Sequence, residues 1–294
     1  MPSSSRDAAD RAFQAAHEAL LRTWPVVPEP VWVATPSGRT HLLTAGPPGA
    51  PAVFLVPGAG TSGVAWTCQI EALVADHRVY AVDLPGNHGL SEPARPPRGF
   101  DDFARWYVEV LDALGLRKAD WVGVSYGGSV GAHVALAAPE RIRRLALLAP
   151  VATLRPVRAG LWLQTLSILV WPSRARHAGM LRWMAVAPAE GCERYEDLME
   201  KVADVIHAGR RRNGLSILPN PRVLRDDELR RISVPTLVMI GDQEKIYDAG
   251  AALARAEALI PGVRTLCIPD ASHDLMFCQP ARVNAALKAF LADT

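Results

Sequence analysis

The sequence predicts an α/β fold: a mostly parallel central sheet covered by helices on both faces, with a helical segment inserted in the second half. Three observations predict it. Short apolar, β-branched runs alternate with stretches of helical spacing, which is the pattern of a parallel sheet. The run Gly123-Val124-Ser125-Tyr126-Gly127-Gly128 joins one apolar strand to a small-residue helix, a G-x-S-x-G turn in strand–turn–helix context. Between Pro150 and Val234 the alternation stops, and no buried-strand pattern occurs.

Taken in order, Ser4 or Ser5 is placed to cap a helix with an apolar face of Ala9, Phe13, Ala16 and Leu20. That helix forms an N-terminal extension over residues 1–22, expected to dock on the main body or to serve a subunit contact. Val31–Ala34 and Thr40–Thr44 read as a hairpin around Pro36-Ser37-Gly38. Ala52–Val56 is a buried strand ending in Pro57-Gly58-Ala59-Gly60, followed by a helix over about Ala65–Ala75. Arg78–Asp83 is the next strand, and a Gly- and Pro-rich loop then runs through Gly99. Phe100–Leu114 has helical spacing and stops at Gly115. Ala119–Ser125 carries the serine, and its helix runs Ser129–Ala138. Arg144–Ala149, Thr236–Ile240 and Thr265–Ile268 complete the strands, with helices at Ala249–Leu259 and Ala281–Ala292.

The α/β core therefore comprises residues 23–150 and 233–294. The stretch 151–232 carries Trp162, Trp171, Trp183, Met180, Met184 and Met199 in helical pieces broken by Pro156, Pro172 and Pro188. A structureless loop of this length is uncommon inside a domain, so it reads as an inserted helical cap. Trp162, Trp183 and Met184 are candidates to line an apolar substrate pocket; the alternative is that they form the cap's own core.

Composition limits the function. The net charge of +2 gives no electrostatic footprint for nucleic acid or membrane, so the expected partner is a small molecule. Four cysteines, Cys68, Cys192, Cys267 and Cys278, lack C-x-x-C spacing, which offers neither a disulfide framework nor a zinc site and suits a reducing cytoplasm. Cys267, in an apolar run, reads as a core residue. Leu161–Trp171 is too short to span a bilayer and contains Gln164, Thr165 and Ser167. Charged residues from Arg6 to Glu18 interrupt any secretory signal. The chain is expected to act as a monomer or homodimer.

A serine hydroxyl is a weak nucleophile at neutral pH and needs a base. His273 is the best placed of eight histidines, in the loop Pro269-Asp270-Ala271-Ser272-His273 after a strand. His17, His177 and His207 lie in charged helical contexts and are expected at the surface. His133 sits two turns into the helix after the serine, pointing away from the strand ends, and His88 lies in the loop after the fourth strand. An acid must orient the base, and it should leave a strand end between the serine and the histidine. Arg144–Ala149 ends in Pro150 without one; Thr236–Ile240 ends in Gly241-Asp242-Gln243-Glu244, so the acid is Glu244 or Asp242. The backbone N–H groups of Tyr126 and Ala59 are the candidate oxyanion donors. No P-loop lysine or G-x-G-x-x-G is present, and no cofactor is called for. The Arg210-Arg211-Arg212 run reads as a solvated helix end.

With Leu55-Val56-Pro57-Gly58-Ala59-Gly60, Asp83-Leu84-Pro85-Gly86, the serine turn, Val234-Pro235-Thr236-Leu237, Gly241-Asp242-Gln243-Glu244 and Ser272-His273 in hand, the chain resembles the α/β-hydrolase superfamily from about Trp24 to Leu291. It looks most like bacterial capped carboxylesterase-like serine hydrolases. The resemblance implies that the acid sits three residues after the strand-end glycine, at Glu244, where most members carry aspartate. It implies hydrolysis of a carboxylic ester or thioester of a small, largely apolar substrate through Ser125, His273 and Glu244 and an acyl-enzyme. Serine at the nucleophile position disfavours the dehalogenase and epoxide-hydrolase members. The chain departs from the family pattern in having Pro57-Gly58 where His-Gly is frequent, and in a loop from Asp83 to Ser91 one residue longer than D-x-x-G-x-G-x-S. The same triad also suits a lyase or a tailoring enzyme of secondary metabolism, and the fold also hosts ligand-binding receptors and pseudoenzymes.

Overall fold

The computed structural model describes residues 3–186 and 194–292; Pro188 and Cys192 lie outside them. Among the described residues, nine strands form one sheet in the order β1-β2-β4-β3-β6-β7-β8-β9, with the short β5 added to β2. The strands are β1 (Glu29–Thr35), β2 (Gly38–Ala45), β3 (Ala52–Val56), β4 (Arg78–Val82), β5 (Glu92–Pro93), β6 (Ala119–Val124), β7 (Ile142–Leu148), β8 (Thr236–Gly241) and β9 (Arg264–Ile268). β1, β2 and β4 pair antiparallel, and every pair from β4 across to β9 is parallel. β3, β6 and β8 are buried along their whole length, as strands covered on both faces must be.

Helices α1 (Ser3–Leu21), α2 (Thr67–Val74), α3 (Phe100–Ala113), α4 (Tyr126–Ala137), α9 (Ala249–Leu259), α10 (Leu275–Cys278) and α11 (Pro280–Ala292) belong to the strand–helix alternation or its ends. From β3 the chain crosses to β4 on one side and later to β6 on the other, so β3 and β6 flank a topological switch point. Ligands of open α/β sheets bind beyond the carboxyl ends of the strands at such points.

Between β7 and β8 the described residues hold four helices and no strand: α5 (Ala159–Val170), α6 (Arg174–Met184), α7 (Tyr195–Asn213) and α8 (Asp226–Arg230). The insertion is tied to the core by hydrogen bonds at several points. The Arg158 N–H donates to the Ile246 carbonyl at 2.7 Å, Lys245 Nζ to the Ala185 carbonyl at 2.7 Å, and the Tyr126 hydroxyl to the Pro219 carbonyl at 2.7 Å.

Several expectations need correction. The first helix begins at Ser3, ahead of both serines read as caps. β5 is a two-residue strand formed by Glu92 and Pro93 across from Gly38 and Arg39, a non-local pairing without local periodicity. Cys267 is exposed, because β9 is the edge of the sheet. His17 and His177 are buried: His17 of α1 meets His41 of β2 edge-on with ring centres 6.4 Å apart, and His177 meets His207 between α6 and α7. Arg212 is a tie rather than a solvated end. Its Nε lies 2.6 Å from Asp10 Oδ1, its guanidinium sits 5.1 Å from the Phe13 ring centre, and together they hold α1 against α7.

Candidate active site

Ser125 sits on the turn between β6 and α4 with φ 53° and ψ −113°, a conformation that L residues rarely adopt. The neighbouring glycines make the turn possible. A Cβ on Gly123 would lie 2.3 Å from the Gly127 carbonyl oxygen, and one on Gly127 would lie 2.2 Å from the Val56 carbonyl oxygen. Strand, turn and helix therefore close to backbone contact, and only hydrogen fits at these positions. The serine N–H donates to the Leu148 carbonyl at 2.8 Å, which fixes the turn against β7.

The structure brings Ser125, His273 and Glu244 together. His273 Nε2 is 2.8 Å from Ser125 Oγ, and His273 Nδ1 is 2.9 Å from Glu244 Oε2. His273 comes from the loop after β9 and Glu244 from the loop after β8. These loops touch so closely that a Cβ on Gly241 would lie 2.2 Å from the Ala271 carbonyl oxygen. The second oxygen of Glu244 accepts the Ile246 N–H at 2.8 Å, so the carboxylate is held at both ends while buried. Asp242, the other acid left open by the sequence, is exposed and turns back to accept the Ala271 N–H at 3.3 Å.

Asp274, next to the histidine in sequence, bonds neither of its ring nitrogens, which are taken by Ser125 and Glu244. Its carboxylate accepts the Tyr195 hydroxyl at 2.5 Å, and burial raises its pKa above the ordinary carboxylate range. Of the other histidines, His133 is buried in α4 and stacks on Phe100 with ring centres 3.8 Å apart.

Tyr126 follows the serine directly in the chain. The Tyr126 N–H lies at the first position of α4, where an N–H has no intrahelical acceptor. On the other side, Gly58 packs directly on the nucleophile: a Cβ there would sit 3.4 Å from Ser125 Cβ. The loop Gly58-Ala59-Gly60 is held by Asn87, which the sequence reading passed over. Asn87 Nδ2 donates to the Gly58 carbonyl at 2.9 Å, and Asn87 Oδ1 accepts the Gly60 N–H at 2.7 Å. The amide thus straddles the Ala59 peptide. His88 is buried beside it, with Nδ1 3.2 Å from the Gly60 carbonyl and Nε2 3.3 Å from the Gly214 carbonyl of the insertion. Burial lowers the His88 pKa to about 4, so the ring is neutral near pH 7 and donates to one of these carbonyls at a time.

The candidate pocket residues separate. Trp183 and Met184 are half-buried and pack against the core cluster that contains Tyr126. Trp162 is 58% exposed on α5.

A family model described as alpha/beta hydrolase fold matches residues 51–280. The chain belongs to the α/β-hydrolase family. Among the family's characterised sequences, the carboxylesterase YbfK of Bacillus subtilis is 30% identical over 282 residues, covering 95% of this chain and 93% of that protein. The crystal structure of that carboxylesterase, CesB (YbfK), matches with a TM-score of 0.88 at 28% identity, over 97% of this chain and 99% of the other. The naproxen esterase of Bacillus subtilis, carboxylesterase NP, matches with a TM-score of 0.84 at 29% identity, over 96% and 98% of the two chains. The match of this α/β-hydrolase to these relatives extends over nearly the whole chain.

Proposed function

We propose that the protein is a serine carboxylesterase in which Ser125 attacks, His273 moves the proton and Glu244 orients His273. The protein is a carboxylic ester hydrolase by class, in keeping with its carboxylesterase relatives. The observation that carries the mechanism is the unbroken hydrogen-bond chain from Ser125 Oγ through both ring nitrogens of His273 to Glu244 Oε2, at 2.8 and 2.9 Å.

The chemistry follows from that chain. Glu244 holds the proton on Nδ1, which leaves the Nε2 lone pair facing the serine. As Oγ bonds to the ester carbonyl carbon, its proton passes to Nε2 and the carbonyl electrons move onto oxygen. The N–H groups of Ala59 and Tyr126 receive that oxyanion; removing one such donor costs roughly 10²- to 10³-fold in turnover. Collapse breaks the bond to the alkoxide, which takes the proton from Nε2 and leaves as the alcohol. Water then repeats the sequence on the acyl-serine, giving the carboxylic acid and free enzyme. Glutamate in place of the family's usual aspartate keeps the same carboxylate, and the Ile246 N–H bond takes up its longer arm.

The substrate is a carboxylic ester or thioester that is small and largely apolar. Residues 151–232 act as a cap over the strand ends, and Trp183 and Met184 supply its apolar wall; Trp162 stands outside that wall because of its exposure. Replacing Ser125 with Ala tests the reading. The variant should fold as the parent does and lose roughly 10³-fold or more in turnover of short p-nitrophenyl esters. Parent-like turnover by that variant rejects the mechanism.

A further inference from the structure

Helix α5 turns Leu161 and Ile168 toward the protein but carries a second apolar face outward. Two of its three polar side chains, Gln164 and Ser167, are half-buried against the protein. Leu163, Leu166 and Val170 face solvent at 68%, 54% and 72% exposure, and no residue of the helix is buried. A helix on a globular body normally directs its apolar stripe inward. Contiguous exposed apolar surface of this kind marks an interaction site. The two ends of the helix carry tryptophans, Trp162 and Trp171, which are 58% and 70% exposed.

The charge around this face identifies its occupant. Residues 151–189 contain five arginines and no aspartate or glutamate. Arg174 and Arg182 are neutralised by Glu200 and Asp204 of α7. Arg155 and Arg158 before the helix and Arg176 after it are exposed and, among the described residues, carry no ion pair. The face is therefore an apolar strip with tryptophans at both ends and free cations beyond them. Stacking it on α5 of a second copy sets arginines against arginines in either direction, with no carboxylate on the strip to compensate. An anionic surface meets both features at once. At 12 residues the helix is about 18 Å long, too short to span a bilayer but suited to lie in its interface. The chain's net charge of +2 averages this patch with the acidic remainder and hides it.

We propose that α5 is a docking surface for an anionic lipid bilayer. The helix lies flat at the headgroup level with Leu163, Leu166 and Val170 inserted, and Arg155, Arg158 and Arg176 contact lipid phosphates. Docking there sets the active site beside the lipid. Arg158, the residue before α5, donates its N–H to the carbonyl of Ile246, two residues from Glu244. Esters dissolved in the bilayer are thereby brought near the proposed triad; the docking itself does not depend on that triad.

The test is co-sedimentation of the full chain with vesicles of phosphatidylcholine alone and of phosphatidylcholine mixed equally with phosphatidylglycerol. Each free arginine near an anionic surface contributes roughly fivefold, so the mixed vesicles should bind roughly 100-fold more tightly. Leu166→Asp with Val170→Asp should abolish binding to both. Replacing Arg155, Arg158 and Arg176 by Gln should remove the preference for anionic vesicles. Both variants should turn over a short soluble ester as the parent does, which separates lost docking from lost folding. Absence of binding to either vesicle overturns the proposal, as does equal binding to both. A dimer in sedimentation velocity that Leu166→Asp dissociates, without vesicle binding, assigns the face to a second copy instead.

Discussion

Asn87 grips the Gly58 carbonyl with its Nδ2 at 2.9 Å while its Oδ1 holds the Gly60 N–H at 2.7 Å, so one buried amide fixes both ends of the Ala59 peptide. In the proposed mechanism that peptide donates to the oxyanion, and its aim depends on this clamp. Asn87→Ala misaims the donor without removing it, so it should lower kcat roughly 10- to 100-fold, less than the full loss of an oxyanion donor, and leave KM near the parent value. Binding of a boronic-acid transition-state mimic should weaken in proportion to kcat. A variant that loses only KM, or only thermal stability, places Asn87 in a purely structural role.

The acid is tested by comparing Glu244→Gln with Asp242→Asn. The first removes the charge 2.9 Å from His273 Nδ1 and leaves a side chain of the same shape. Turnover should fall roughly 10²- to 10⁴-fold. Asp242→Asn alters only an exposed side chain bonded to the Ala271 N–H and should remain within a few-fold of the parent. The reverse ranking, with circular dichroism unchanged in both, moves the acid to Asp242.

Stability should fall in mild acid, and His88 should account for part of the fall. Its pKa is lowered from 6.5 to about 4 by burial, with Arg210 and His177 adding to the effect. The unfolded chain binds this proton first as pH drops. The contribution is therefore complete above about pH 6.5, shrinks between about 6.5 and 4, and reaches at most about 3 kcal/mol. His17, His133 and His177 shift in the same direction for the same reason and add to the slope. Urea midpoints across this range should flatten in His88→Gln relative to the parent. An unchanged slope contradicts the assignment.

Much of this was legible in the chain, and the reasons differ by element. The serine turn could be read because its chemistry is local: Gly123, Ser125 and Gly127 are fixed by contacts within one strand–helix crossing. Ala52–Val56 and Ala249–Leu259 fall where their apolar runs place them. The choice between Glu244 and Asp242 was not local, because it depends on how two loops from different strands meet at Gly241 and Ala271. Asn87 escaped notice because its partners are almost thirty positions away in the chain, a separation of 29 to Gly58 and 27 to Gly60. His17 meets His41 of β2 and His177 meets His207 of α7, contacts between separate elements that no single helical pattern encodes. α5 gave no direction because its apolar residues lie on several sides, so periodicity alone could not say which side faces the protein.

The central claim is that ester cleavage passes through an acyl group on Ser125. The most direct measurement is rapid acid quenching during turnover of p-nitrophenyl butyrate, followed by peptide mass spectrometry. A butyryl adduct is expected on the peptide containing Ser125, formed as fast as the first burst of p-nitrophenol and absent from Ser125→Ala. Turnover with no adduct at any time, or an adduct confined to another residue, contradicts it.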